Sequence, residues 1–509
     1  MSRLHPLSIP YRIAQSILGY VPLVFFVAIA SGPALGAGGI ALTLLGIVVG
    51  LAGIVAWQVA YYKRFEYETT PDTFDIRSGV VSRRNREIPY RRVQNVDISR
   101  NVVQRALEIA ELRIETAGGG ETEAILRYVG YEEAKRLQNE LRRRKRAETA
   151  AGAGDREEPV DEEAEQLYEI TPEDLAVLAV ASFDLRLASF LSVLLSLAGP
   201  PVLIELLTDL PISPFLVVGA VIVLVVIASA LLSGISAVLS TYGFRLTRSG
   251  DELRYERGLV QRFDGSIPLD KVQLLVLREN LLKRLLGYAS LAVETAGYAP
   301  GQGGSVGSES AVPIARRRTT WGIAREIEPF EEFEVVRPPK RARRRYAFRY
   351  LLALGVLTGL VYAGTLALGF EMYWYVVLAG VPLAPVAAHY KWKSRGYHVG
   401  EEYVVTRTGF WHRTTRVVPY YRVQNAIHTQ TVLQRRWRLA SVLIDTAGTG
   451  SLVGGDPRAI DLDEDEAAKL RETVADRLQT TLHERRREAA REERERRIDR
   501  ALPRFEDGR

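Results

Sequence analysis

Side chains able to do chemistry are few in kind in this chain. Six histidines, His5, His389, His398, His412, His428 and His483, fall at spacings that match no metal-ligand pattern. GGSVG at 303–307 has the outline of a hydrolase nucleophile elbow. It sits inside the run APGQGGSVGSES with no apolar strand before it, and the elbow needs a strained strand-to-helix turn that such a run does not supply. The glycines of GTGSLVGG at 448–455 lack phosphate-loop spacing and the Lys-Ser or Lys-Thr that would follow them. Cysteine is absent, which removes disulfides and thiolate metal sites. No catalytic, metal-binding or cofactor-binding set emerges, and no cofactor is expected.

What does recur is a phrase. IPYRRVQN at 88–95, IPLDKVQL at 267–274 and VPYYRVQN at 418–425 belong to stretches that align without a gap from Gly79, Gly258 and Gly409 to Gly118, Gly297 and Gly448. Nine positions are identical in all three copies: the opening Gly, Pro89, Val93, Gln94, Arg105, Ala110, the closing Thr116-Ala117-Gly118, and their counterparts. One module in triplicate is the physical reading. Gln94, Gln273 and Gln424, with Arg105, Arg284 and Arg435, are candidates for a ligand site, but a side chain kept through diverged copies more often holds the shared fold. Arg92, Lys271 and Arg422 keep charge rather than shape, which suits contact with phosphate or carboxylate and equally suits a solvated basic residue. The two repeated glycines suit turns that a side chain would obstruct, and Pro89 with its copies suits a strand end.

The elements that must carry these residues include membrane spans. No charged residue occurs between Arg12 and Lys63, and two apolar stretches there are each about long enough to cross a ~30 Å hydrocarbon core. A second such run lies between Arg186 and Arg245, broken by Glu205 and Asp209 beside a turn, and a third between Arg349 and Lys391, with Glu371 at its turn. Six spans in three hairpins are expected. The hairpin turns carry no Lys or Arg, whereas Arg3, Arg12, Lys63, Arg64, Lys391 and Lys393 lie on the other side. By the positive-inside rule both termini and all three modules face the cytoplasm. The basic runs RRNR (83–86), RRRKR (142–146) and RPPKRARRR (337–345) are expected at the membrane side, where each charge is worth about 1 kcal/mol near an anionic leaflet.

After each hairpin, short alternating stretches with turn residues read as antiparallel strands. YEEAKRLQNELRRRKR then places Ala134, Leu137 and Leu141, and DEAAKLRETVADRLQTTL places Ala467, Leu470, Val474 and Leu478, at helical spacing. The second unit has no comparably periodic close. A span pair, short strands, an IPxxxVQ phrase, a short helix with an Arg and a terminal ETAG together resemble the membrane-anchored bacterial pleckstrin-homology-like family, and three units in one chain resemble its YdbT-type members. That resemblance implies α-helical membrane hairpins bearing three α+β PH-like small barrels of about seven strands, each capped by a C-terminal helix, with no established enzymatic activity.

The expected order is hairpin 1 (1–62), PH-like domain 1 (63–146), an acidic and mobile linker (147–184), hairpin 2 (185–240), PH-like domain 2 (241–333), a basic segment with hairpin 3 (334–390), PH-like domain 3 (391–480) and a charged tail (481–509). The expected role is a non-enzymatic binding or scaffolding platform in the cell membrane. Its expected partners are membrane lipids and other membrane proteins, not nucleic acid, with Arg83, Arg84, Arg86, Arg92, Lys271 and Arg422 as headgroup or partner contacts. The alternative, a transporter or lipid-handling protein, requires intramembrane polar groups that face one another, and beyond Glu205 and Gln58 the spans offer few. A membrane enzyme would require a convergent cluster that the sequence does not show.

Overall fold

The computed structural model describes residues 2–17, 19, 36–116, 124–151, 165–182, 214–295, 311–368, 374–447 and 456–501. Three helices among them are long and apolar enough to cross a membrane: Gly36–Arg64, Pro214–Thr241 and Lys340–Leu368. Their apolar side chains, such as Leu224 (65% exposed) and Leu360 (67%), find little cover among the described residues and need a nonpolar surrounding. The expected partner spans of the first two pairs fall largely on residues outside those described. In the third pair the second span is not one helix. It is a 3-10 stretch, Trp374–Gly380, followed by a helix, Leu383–Lys393. Pro382 and Pro385 explain the break, because proline lacks the N–H that a continuous helix needs.

Each module supplies two antiparallel three-stranded sets. In the first, β2 (Glu66–Thr69), β3 (Thr73–Ser78) and β4 (Arg84–Pro89) precede a 3-10 turn, after which come β5 (Val93–Asn101), β6 (Ile109–Thr116) and β7 (Ala124–Gly130). The second repeats this as β9 (Arg245–Ser249), β10 (Glu252–Arg257), β11 (Gln261–Pro268), β12 (Val272–Asn280), β13 (Tyr288–Thr295) and β14 (Val312–Arg316). The third does so as β15 (Gly396–Val399), β16 (Tyr403–Thr408), β17 (His412–Pro419), β18 (Val423–Thr429), β19 (Leu439–Thr446) and β20 (Arg458–Asp463). Two added strands, β1 (Ser2–Arg3) and β8 (Glu165–Glu169), pair with β2 and β9. A bridge from Val336 to Tyr397 of β15 stands at the same place in the third module. Chain entering a hairpin is thereby tied to chain leaving it. The end of the acidic linker is one of these ties, not a mobile segment.

The repeated residues have local reasons. Gly79, Gly258 and Gly409 adopt φ of +108°, +100° and +89°, and a Cβ on any of them would stand 1.9 Å from the carbonyl oxygen three residues on. Pro89, Pro268 and Pro419 end β4, β11 and β17. Gly118, Gly297 and Gly448 lie outside the described residues.

The molecule divides into two compact units: residues 1–170 with 235–270, and 171–234 with 271–509. The second module is thus shared between them. The first unit holds a four-stranded sheet, β1-β2-β3-β4, and a seven-stranded sheet, β7-β6-β5-β11-β10-β9-β8. The second holds a six-stranded sheet, β14-β13-β12-β17-β16-β15, and a three-stranded sheet, β18-β19-β20. Among the described residues no sheet closes, so the expected small barrels are not formed as closed barrels. The edge of β5 is instead taken by β11 of the next module, and the edge of β12 by β17.

Cap helices complete the cores. Helix Tyr131–Ala151 buries Ala134, Leu137 and Leu141 against Val96, Leu112, Ile114 and Leu126. Helix Glu464–Ala501 buries Ala467, Leu470 and Val474 against Val442, Ile444 and Leu462. Each large aliphatic side chain so buried contributes roughly 1.5–3 kcal/mol. The second module is capped too, by Arg317–Ile327, which buries Thr320, Ile323, Ala324 and Ile327.

Candidate functional site

The joins between modules share one geometry. In the first unit β11 meets β5 with Gln261 opposite Asn101 and Asp264 opposite Ile98. In the second unit β17 meets β12 with His412 opposite Asn280 and Thr415 opposite Leu277, the same repeat positions. Both joins carry the same extra bond. Arg105 donates from Nη2 to the carbonyl of Leu259 at 2.5 Å, and Arg284 donates from Nη2 to the carbonyl of Phe410 at 2.8 Å. Each acceptor directly follows the repeated glycine of the next module. Short helices present these arginines, and Asn101 and Asn280 cap them through their side chains. Arg435, the third copy, is exposed.

The glycine turn in each module rests on the end of the helix that precedes the module's first strand. Gly258 and Leu259 donate backbone N–H bonds to the carbonyls of Tyr242 and Leu239, the Phe410 ring stands 5.7 Å from that of Tyr390, and Arg64 Nη1 donates to the Val80 carbonyl. Around these turns apolar side chains are left uncovered: Val81 (84% exposed), Val260, Trp411 (66%), Val102 and Leu285, and Val432 (79%) is uncovered on the short helix of the third module. Arg83 and Arg84 of the first turn are exposed beside them, with Arg86 further along β4. An apolar rim interleaved with arginines, at the end of a span, has the composition of a surface that sits in a headgroup layer.

Arg92, Lys271 and Arg422 are not on that rim. They lie in the 3-10 turns after β4, β11 and β17, at the opposite end of those strands from the glycine turns. Six residues of β4 place Arg92 about 20 Å from the glycine turn. Arg92 is exposed. Arg422 stacks over the Tyr421 ring at 4.8 Å, with Arg485 over that ring at 3.3 Å. Tyr421 donates its hydroxyl to the Glu328 carboxylate at 2.9 and 3.0 Å, and burial pushes that carboxyl above its ordinary value. The run at 142–146 is also distal, since Arg144 donates to the carbonyls of Thr70 and Pro71 at the far turn. Gln273 is buried and bonds the Lys271 carbonyl at 3.3 Å, Gln424 is exposed, and the Gln94 side chain lies outside those described.

Two buried polar clusters escape a reading from motifs. At the β5–β11 join, a buried Asp97 carboxylate oxygen has no hydrogen-bond partner, and burial raises that carboxyl to about 6 despite the nearby Arg142 and Arg113 guanidiniums. Arg142 donates to Ser266 Oγ at 3.2 Å, and burial also raises Asp264. The charged residue inside the apolar alternation VQNVDIS was the available signal. At the membrane foot of the third module, Asp461 adopts φ of +62° in a bulge and accepts from Arg345, from Arg395 at 3.0 Å, from the Tyr346 hydroxyl at 2.5 Å and from Gln434 at 2.7 Å. Arg345 belongs to RPPKRARRR, so part of that run is a buried joint. Gln58 is likewise joined, to Arg12 at 2.8 Å and Ser16 at 3.0 Å. Glu205, GGSVG and GTGSLVGG lie outside the described residues.

Apolar spans bearing sheet-and-helix modules in triplicate define a transmembrane protein built on tandem PH-like domains. The chain belongs to the bacterial PH domain family, whose model matches residues 17–145, 192–327 and 350–478. It is 26% identical over 467 residues to the UPF0699 transmembrane protein YdbT of Bacillus subtilis (strain 168), a match that covers 86% of this chain and 91% of that one. No solved structure matches.

Proposed function

We propose that this chain is a non-enzymatic membrane platform: six spans in three hairpins carry three PH-like modules at the cytoplasmic face, each with its rim in the lipid headgroups and its far end open to partners. The observation that carries the reading is the pairing of glycine turns with span ends. It sets uncovered apolar residues and arginines at one end of each module, and the charged positions 92, 271 and 422 at the other. Lipid contact then falls to Arg83, Arg84 and the rim, while the 3-10 turns meet protein. Several modest contacts on one chain raise effective concentration, so weak individual affinities add.

Single spin-labelled cysteines test the arrangement without removing a native one, since the chain has none. In lipid vesicles, labels at Val81, Val260 and Trp411 should be reached by oxygen dissolved in the bilayer, and labels at Arg92 and Arg422 by a water-soluble relaxant. Water-reached labels at the first three would remove the rim reading. An Arg92→Cys variant should resist an impermeant maleimide in intact cells and react after lysis; reaction before lysis would reverse the orientation.

A further inference from the structure

Two strand edges are left over by the way the modules join. A join needs the first strand of one module's second set and the third strand of the next module's first set. Within the chain β5 is joined to β11 and β12 to β17. The remaining members of the series are β18 and β4, and each is the edge of its sheet, with no strand beyond it among the described residues. Burial marks the vacancy. Val276 and Val417 are fully buried inside a join, whereas their counterparts Ile427 and Glu87 are exposed. Arg435 is exposed where Arg105 and Arg284 each grip the next module.

We propose that β18 of one copy pairs with β4 of a second copy in the register of the internal joins, so that the protein assembles head to tail in the membrane. Carrying the register over places Arg84 opposite Thr429, Asn85 opposite His428, Arg86 opposite Ile427 and Glu87 opposite Ala426. Arg435 then reaches the Val80 carbonyl of the second copy, whose other lone pair accepts from that copy's Arg64. Charge selects this pairing over the symmetric one. β4, reading RNREIP, carries Arg84 and Arg86 against one Glu87, so a second β4 brings a net positive strand against its like, while β18, reading VQNAIHT, carries no Lys, Arg, Asp or Glu to oppose it. A donor edge meeting an unlike acceptor edge is a heterologous contact, which propagates or closes as a ring.

The test uses full-length chains co-expressed under two tags in membranes, one bearing Asn85→Cys and the other His428→Cys, both shown reactive with a fluorescent maleimide. A short bismaleimide should link the two tags at least fivefold more efficiently than it links either variant to itself. Arg435→Ala should lower that yield severalfold, while its exposed neighbour Arg436→Ala leaves it unchanged. Absence of the mixed product, linkage confined to like variants, or a yield indifferent to Arg435 would each overturn the proposal.

Discussion

Arg284 of the second module donates to the carbonyl of Phe410 in the third at 2.8 Å, across 126 residues of chain, and Arg105 makes the equivalent bond to Leu259. A charge-assisted bond of this kind contributes roughly 1.5–3 kcal/mol when shielded and less where water competes. Arg284→Ala is therefore expected to lower stability by about 1–2 kcal/mol, read as a reduced thermal midpoint of the chain in detergent. Arg436→Ala should leave the midpoint in place. A silent Arg284 would mean that strand pairing alone holds the join.

Gly258 is the sharper probe of the same region. Its φ of +100° and the Gln261 carbonyl 1.9 Å from the place of a Cβ leave no room for alanine without backbone movement. Gly287, at φ +75°, has nothing within 4 Å of that place. Gly287→Ala should cost about 1 kcal/mol, the ordinary penalty for a left-handed position. Gly258→Ala should cost clearly more, seen as lower expression of folded protein and a larger fall in the thermal midpoint. Equal costs would show that the turn is free to shift.

The Asp97 carboxyl predicts a pH dependence. Burial holds it at about 6 in the folded chain against 3.8 ordinarily, so the folded state keeps its proton where the unfolded state has lost it. That contribution is fully present below about pH 4 and is lost as pH rises through 6. The span corresponds to at most about 3 kcal/mol. Asp97→Asn should raise the thermal midpoint at pH 8, and the advantage should shrink as pH falls below 6. An advantage constant from pH 5 to pH 8 would show that Asp97 does not titrate as a buried acid.

By itself the sequence determined what is local. Apolar length specified spans because a bilayer sets a length, as Gly36–Arg64 and Lys340–Leu368 bear out. Helical spacing located the buried stripes of Ala134, Leu137 and Leu141 and of Ala467, Leu470 and Val474, because a cap helix buries one face. Repetition named the glycines, whose φ no other residue adopts cheaply. Tertiary structure alone decided which strand edges meet. Backbone N–H and C=O groups are the same at every residue, so alternation tells which face of a strand is buried but not which neighbour lies beside it. For that reason Arg105 was recognisable as repeated but not as a clasp on Leu259. Asp97 likewise stood out as a charge inside the apolar alternation VQNVDIS, but nothing there named the second module as the neighbour of its carboxylate. The charge at Arg92, Lys271 and Arg422 was visible from the start, but its distance from the glycine turn followed only once the strands were seen to run from that turn to the 3-10 turn.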